Sequence, residues 1–309
     1  MNRFSIAIHG GAGTLVKGMM TAELEAQYKE ALQRALDAGF AILKTGGSAV
    51  EAVEESVKLL EDSHLFNAGK GSVFTATETH EMDASIMNGE TLNAGAVSLI
   101  NGIKNPISLA RDVMEKSEHV FLAGEGAMQF AKQLNYQLKD DAYFYDEFRH
   151  KQWLEIKDTD SFQLDHAKKK DSKFGTVGAV ACDQNGNIAA ATSTGGMTNK
   201  KWGRVGDSPM IGAGNYANNK TCAISCTGSG EFFIRGVVAY DVACLIEHKN
   251  MSLEDASNEV IYKRILEIGG DGGLIAVDTK GNIAMPFNTE GMYRASKSSN
   301  GTEEVSIYK

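Results

Sequence analysis

The sequence predicts a layered α/β fold, with two stacked, mostly antiparallel sheets covered by helices on their outer faces, four layers in all. Three observations carry this expectation. Strands and helices occur together in two blocks, one on either side of a charged stretch over residues 139–174. Hairpins join the strands as often as helices do, which disfavours a doubly wound parallel sheet. One plan also appears twice: "TVGAVACDQNGNIAAATST" and "GGLIAVDTKGNIAMPFNT" each read as strand, glycine turn and a second strand opening with Asn-Ile-Ala.

Taken in order, residues 4–8 read as a first strand that runs into a glycine turn at "HGGAG". A helix is expected over 21–43, with Tyr28, Leu32, Ala35, Leu36 and Leu43 on one face and Gly46-Gly47 as its stop. The next opens with "SAVE", where Ser48 caps, Glu51 reaches back, and Val50, Val53, Val57 and Leu60 form the buried stripe. A glycine-punctuated loop, "LEDSHLFNAGKGSVF", then enters a strand at 72–75. Strands follow in "HEMDASIM" and "AGAVSLI", and helices over 106–116, with its first-turn proline, and 126–134. From residue 139 the periodicity decays into partly helical chain and then a mobile linker, about 150–175. Beyond the first hairpin lie a strand over 222–226 and helices over 231–248 and 252–268.

The 309 residues are 42% hydrophobic and 23% charged with three prolines, a globular composition able to bury a large core. A net charge of −9 argues against nucleic acid or an anionic membrane as partner. The N-terminus lacks the apolar core of a secretory signal, and no stretch approaches a bilayer span. Cys182, Cys222, Cys226 and Cys244 show no metal-binding or C-x-x-C spacing and read as small buried hydrophobes in a reducing cytosol. A cytoplasmic enzyme of small molecules is the expectation.

Several motifs bear on chemistry. "HGGAG" lacks both the G-x-G-x-x-G spacing and the strand-borne acid of a dinucleotide site. In "NAGKGS" the lysine and hydroxyl are out of register for a phosphate loop, and the lysines at 168–170 read as solvated linker. "GRVGDSP" holds Arg204 and Asp207 in a glycine-bounded loop. It reads either as a surface ion pair or as a clamp for a zwitterion, the guanidinium taking a carboxylate and the carboxylate an ammonium. "CTGSGE" sets Thr227, Gly228 and Gly230 between a strand and a helix, where free N–H groups suit an oxyanion and Ser229 or Thr227 suits a cap. At "KFGTVGAV" a charged run ends abruptly in Gly175-Thr176 and strand alternation. A threonine hydroxyl needs a base beside it, and its own α-amine serves once the preceding bond is cut. An ordinary strand start explains the same residues.

"HGGAG", "LFNAGKGSVF", "MDASIMNG", "NAGAVS", "GTVGAVA", "TSTGG", "GRVGDSP", "GAGNYANN" and "NTEGMYRA" follow one another along nearly the whole chain. The set resembles the plant-type (type III) L-asparaginases, also called isoaspartyl aminopeptidases or β-aspartyl peptidases, within the N-terminal-nucleophile hydrolases. The resemblance implies one αββα sandwich that cuts itself between Gly175 and Thr176 into an α chain, 1–175, and a β chain, 176–309. Two such pairs would assemble. It implies Thr176 as nucleophile for cleavage and hydrolysis, Thr194 as the threonine that tunes it, and Thr227 with the Gly228 N–H as oxyanion hole. Arg204 would hold the substrate α-carboxylate, and Asp207 with the Gly230 carbonyl its α-ammonium. Asn67 would lie near the nucleophile. Backbone carbonyls of Leu60, Glu61, Phe66 and Ala68 resemble a structural sodium site, and no cofactor is implied. The implied substrates are β-aspartyl dipeptides and L-asparagine. Two rivals are a glycosylasparaginase, against which Gly175 and the missing signal speak, and a non-maturing amino-acid-binding homologue, against which the three threonines speak.

Overall fold

The computed structural model describes residues 3–158 and 175–309, so most of the expected linker lies outside the described residues. The first strand, β1 (Ser5–Gly13), does not stop at His9. "HGGAG" continues it, with a bulge between His9 and Gly11 rather than a turn. The small residues there keep the strand buried, and Gly11 takes φ +112°, a value side chains resist.

Two helices follow as expected. α1 (Ala22–Lys44) is capped by Thr21, whose hydroxyl accepts from the Leu24 N–H, and it buries Tyr28, Leu32, Ala35, Leu36 and Leu43. It ends in a paired carbonyl cap: Gly46 N–H donates to Leu43 and Gly47 N–H to Ile42, at 3.1 and 2.9 Å. α2 (Ala49–Glu61) opens with the full Ser48–Glu51 capping box. The segment 72–75, expected as a strand, lies on no ladder. After a 3-10 turn, Gly69–Gly71, its groups bond to the Asn67 side chain and to Thr79 and Asn199.

β2 (Met82–Asn88), β3 (Ala94–Ile100) and α3 (Pro106–Lys116) fall where the pattern places them. A short β4 (Phe121–Ala123) precedes α4 (Gly124–Gln133), and α5 (Asp141–Phe144) and α6 (Glu147–Ile156) complete the partly helical stretch. β5 (Val177–Cys182) and β6 (Ile188–Thr194) form the expected hairpin, followed by β7 (Asn215–Ala217) and β8 (Ala223–Gly228). The helix expected over 231–248 is two: α7 (Gly230–Gly236) and α8 (Val238–Lys249), broken at Val237 with φ +47°. That expected over 252–268 runs from α9 (Leu253–Glu259) through a π turn (Val260–Arg264) to α10 (Ile265–Glu267). Within the π turn, the Ile261 carbonyl accepts from the Asn288 amide, a side chain inserted into the ladder. β9 (Gly272–Val277), β10 (Ile283–Ala284), β11 (Gly291–Ser298) and β12 (Glu303–Tyr308) end the chain.

The strands form an eight-stranded sheet, order β12-β11-β1-β5-β6-β2-β3-β4, and a four-stranded one, β10-β9-β8-β7. Every pair is antiparallel except β3–β4. Strand alternation sorts the core into layers. Ile6, Ile8, Ala179 and Ala191 pack against α1 and α2, whereas Ala7, Val180, Ala190 and Ile275 fill the space between the sheets. Ile224, Cys226 and Leu274 face the other way, against α8 and α9. Three apolar layers separate four structural ones, the predicted αββα sandwich. Cys182, Cys222 and Cys226 are buried free thiols, as expected, whereas Cys244 on α8 is only half-buried. No helix among the described residues is long and apolar enough to cross a membrane.

Candidate active site

The alternation that builds the layer between the sheets also aims three threonines into its end. Val180 and Cys182 face that layer from β5, so Thr176, two further steps back, faces it too. Thr194 on β6 shares the parity of Ile188 and Ala190, and Thr227 on β8 that of Ala223. With Val177 opposite Ser193, Thr176 comes opposite Thr194. Accordingly, Thr176 Oγ1 donates to Thr194 Oγ1 at 3.1 Å. Thr194 Oγ1 also accepts from the Gly196 N–H at 3.1 Å, and Ser208 Oγ stands 3.3 Å from Thr176 Oγ1.

Asn67 supports this pair from behind. Its amide donates to the Gly196 carbonyl at 2.7 Å and its main-chain carbonyl accepts from Gly195 at 3.0 Å. A Cβ on Gly195 would sit 2.5 Å from Asn67 Oδ1, so the turn after Thr194 must be glycine to pack this closely.

The residue before the nucleophile is equally confined. A Cβ on Gly175 would lie 3.2 Å from Thr227 Oγ1 and 3.1 Å from the Gly11 Cα. From the other side, a Cβ on Gly11 would lie 2.5 Å from the Gly175 nitrogen. Thr227 Oγ1 accepts from the Ala12 N–H at 3.3 Å, which leaves its one proton to donate elsewhere. Neither Thr227 nor Ser229 caps α7; the Ser229 hydroxyl donates to Asp271.

Arg204 and Asp207 converge on Gly230. A Cβ there would meet Asp207 Oδ1 at 2.7 Å and Arg204 Nη2 at 3.1 Å. The ion pair that Arg204 makes is with Glu231, Nε donating to Oε1 at 2.8 Å. Glu231 therefore takes the flank of the guanidinium and leaves its two η nitrogens facing the glycines. Asp207 is buried, and its Oδ2 has no hydrogen-bond partner among the described residues. Burial pushes its carboxyl up to about 7, with Arg204 pulling the other way. Ser208, next in the chain, joins this charged corner to Thr176.

Of the four buried residues whose carbonyls are expected to hold sodium, Phe66 and Ala68 lie in the loop that carries Asn67, whereas Leu60 and Glu61 end α2. The Leu60, Phe66 and Ala68 carbonyls accept from Ser63, Ala68 and Gly71, and the Glu61 carbonyl crowds Gly69. Among the described residues, no group of three or more His, Cys, Asp or Glu side chains could hold a metal ion. The Glu61 carboxyl is fully buried. Its Oε1 accepts from the Ile107 N–H and the Ser193 hydroxyl at 3.0 and 2.6 Å, and burial pushes it up to about 8. Ser208, Glu231 and His9 were not singled out in the sequence. Each lies inside a motif, but only the folded chain buries His9 and Ser208 and sets the exposed Glu231 against the Arg204 guanidinium.

Comparison with known proteins agrees with the geometry. A family profile described as asparaginase matches residues 2–307. The isoaspartyl peptidase of Escherichia coli is 49% identical over all of this chain and 97% of its own length. A probable isoaspartyl peptidase/L-asparaginase 2 of Arabidopsis thaliana is 41% identical over the full length of both. A plant-type L-asparaginase of Thermococcus kodakarensis is 44% identical over 93% of this chain and 94% of its own. The chain belongs to the asparaginase family whose profile spans it from end to end.

Proposed function

We propose that this protein is a self-cleaving threonine amidohydrolase that releases L-aspartate from β-aspartyl (isoaspartyl) dipeptides and from L-asparagine. The observation that carries the reading is the Thr176 hydroxyl, bonded to Thr194 and joined through Ser208 to a buried carboxyl opposite a guanidinium. The names of the relatives supply the substrate class.

In self-cleavage, Thr176 Oγ1 attacks the Gly175 carbonyl carbon and its proton passes to the departing Thr176 nitrogen. Water hydrolyses the resulting ester, leaving a carboxylate on Gly175 and an α-amine on Thr176. That amine, with an ordinary pKa of about 7.7–8.0, is partly neutral near pH 7. In turnover it takes the Oγ1 proton as the oxygen attacks the β-carbonyl, and passes it to the leaving ammonia or amino acid. It next takes a proton from water, whose oxygen attacks the ester, and returns it to Oγ1. The Thr227 hydroxyl and the Gly228 N–H stabilise the oxyanion. The η nitrogens of Arg204 take the substrate carboxylate, and Asp207 with the Gly230 carbonyl takes its ammonium.

The unit is then one αββα domain cut into 1–175 and 176–309, with two such pairs assembling in the cytoplasm and no cofactor required. The carbonyls of Leu60, Glu61, Phe66 and Ala68 suit a sodium ion, because those of Phe66 and Ala68 accept one described bond each and keep a lone pair. Such an ion would stiffen the loop bearing Asn67 and enter no chemical step. The test is Thr176→Ala analysed by denaturing gel and intact mass. A single 309-residue species is expected from the variant and two fragments from the wild type. An alanine variant still split at 175/176 would assign the cut to another agent.

A further inference from the structure

Thr176 stands one residue beyond one ladder and two beyond another. β5 pairs with β6 from Val177, and with β1 only from Gly178, opposite His9. Past His9 the β1 backbone bulges, so it no longer runs in register beside β5. A side chain fills the gap: His9 Nδ1 lies 3.0 Å from the Thr176 carbonyl oxygen. A carbonyl only accepts, so Nδ1 carries the proton and Nε2 of the neutral ring accepts. Nε2 lies 2.9 Å from Ser225 Oγ, and Ser225 Oγ lies 2.6 Å from Thr192 Oγ1. Ser225 then spends its one proton on Nε2 and accepts from Thr192, whose hydroxyl also lies 3.2 Å from the Gly214 carbonyl and shares its proton between the two acceptors. All three donors face the layer between the sheets and are fully buried.

We propose that His9 is a positioning residue for the nucleophile: its Nδ1–H, fixed by Ser225 and Thr192, pins the Thr176 carbonyl and so sets where the Thr176 amine and hydroxyl point. The role matters most after cleavage. As a first residue, Thr176 has lost its link to Gly175 and keeps only the bond to Val177. Rotation about its Cα–C bond then swings the amine and the side chain together relative to Thr194 and Thr227, and the His9 bond to the carbonyl holds the fixed end of that rotation. Desolvation keeps the ring from charging, lowering its pKa to about 3, so no positive charge competes with protonation of the nearby amine. This inference rests on the enzymatic reading above.

The test combines kinetics with the ring's tautomer. His9→Ala is expected to lower kcat for leucine release from β-Asp-Leu on the order of 100-fold with little change in KM, the signature of a misplaced reacting group. In His9→Asn the side-chain N–H can stand where Nδ1–H stood, and at least roughly a tenth of wild-type kcat should return. Nitrogen NMR of ¹⁵N-histidine-labelled wild type, with the His9 signal identified by its loss in His9→Asn, should show a neutral ring protonated on Nδ1. Ser225→Ala should mix the two tautomers. Wild-type kcat in a folded His9→Ala, no advantage of asparagine over alanine, or a proton on Nε2 overturns the proposal. Should His9→Ala fail to fold, the tautomer in wild type and Ser225→Ala decides. Wild-type protein that neither splits nor turns over refutes instead the reading on which this one stands.

Discussion

Asp207→Asn tests the recognition of the substrate ammonium. The Asp207 carboxyl is buried, with one oxygen unpartnered among the described residues and a pKa of about 7. An ammonium seated there would meet a group that has already lost its hydration and gains a charge partner on binding. Removing the carboxylate while the ammonium remains breaks a buried pair, a loss of about 3–5 kcal/mol. At about 1.4 kcal/mol per decade, kcat/KM for β-Asp-Leu should fall by roughly two to four orders of magnitude. The pH profile carries a second signature. Only ionised Asp207 can receive the ammonium, and its pKa is raised above the usual carboxylate range. Below about 7 wild-type kcat/KM should therefore lose a further factor of about ten per pH unit on top of the tenfold due to the Thr176 amine, about a hundredfold per unit in all. In Asp207→Asn that limb disappears, leaving the one due to the Thr176 amine. The assay is leucine release from β-Asp-Leu across pH, with the N-acetylated dipeptide as control. A variant within tenfold of wild type, or equal turnover of the acetylated substrate, would refute the clamp.

Two further outcomes follow from groups packed around the site. Glu61→Gln, made in Thr176→Ala so that the chain stays whole, should flatten the dependence of stability on pH. The folded carboxyl, raised to about 8, stays protonated where the unfolded one ionises. Its stabilisation is thus full below about pH 4.5 and lost as pH rises toward 8, at up to about 1.4 kcal/mol per unit. Urea unfolding near pH 5 and pH 8 should show the variant gaining on its parent by a few kcal/mol, and parallel curves would sink the assignment. Gly11→Ala should act on maturation. Its Cβ would fall 2.5 Å from the Gly175 nitrogen, and its φ of +112° resists any side chain. The time course of fragment appearance should slow at least tenfold, and a wild-type course would show that Gly175 is free to shift.

Local signals carried much of the fold. The stripe through Tyr28, Leu32 and Leu36, the Ser48–Glu51 box and the hairpin turn before Asn187 depend on neighbours a few residues away, and all formed as expected. Failures came where distant chain decides. Residues 72–75 have strand-like residues but no strand beside them, since Asn67 and Asn199 take their backbone groups. "HGGAG" has turn-like residues yet is strand, because β11 pairs with it through Gly13. The residue types of the site were also legible: a threonine after glycine, a second threonine in "TSTGG", and opposite charges in "GRVGDSP". Spacing alone did not reveal that Arg204 would pair with Glu231 rather than Asp207.

By itself, the sequence determined the periodicities, caps and turns, and the two-block order that makes an αββα sandwich, because those are set by short-range sterics and by the parity of apolar residues. Tertiary structure decided what meets at "GTVGAV". Thr176, Thr194, Thr227, His9 and Asp207 come from strands and loops far apart in the chain, and only the register of β1, β5, β6 and β8 brings them to one end of one buried layer. Register depends on side chains from the two sheets filling a common space, a condition no single segment contains.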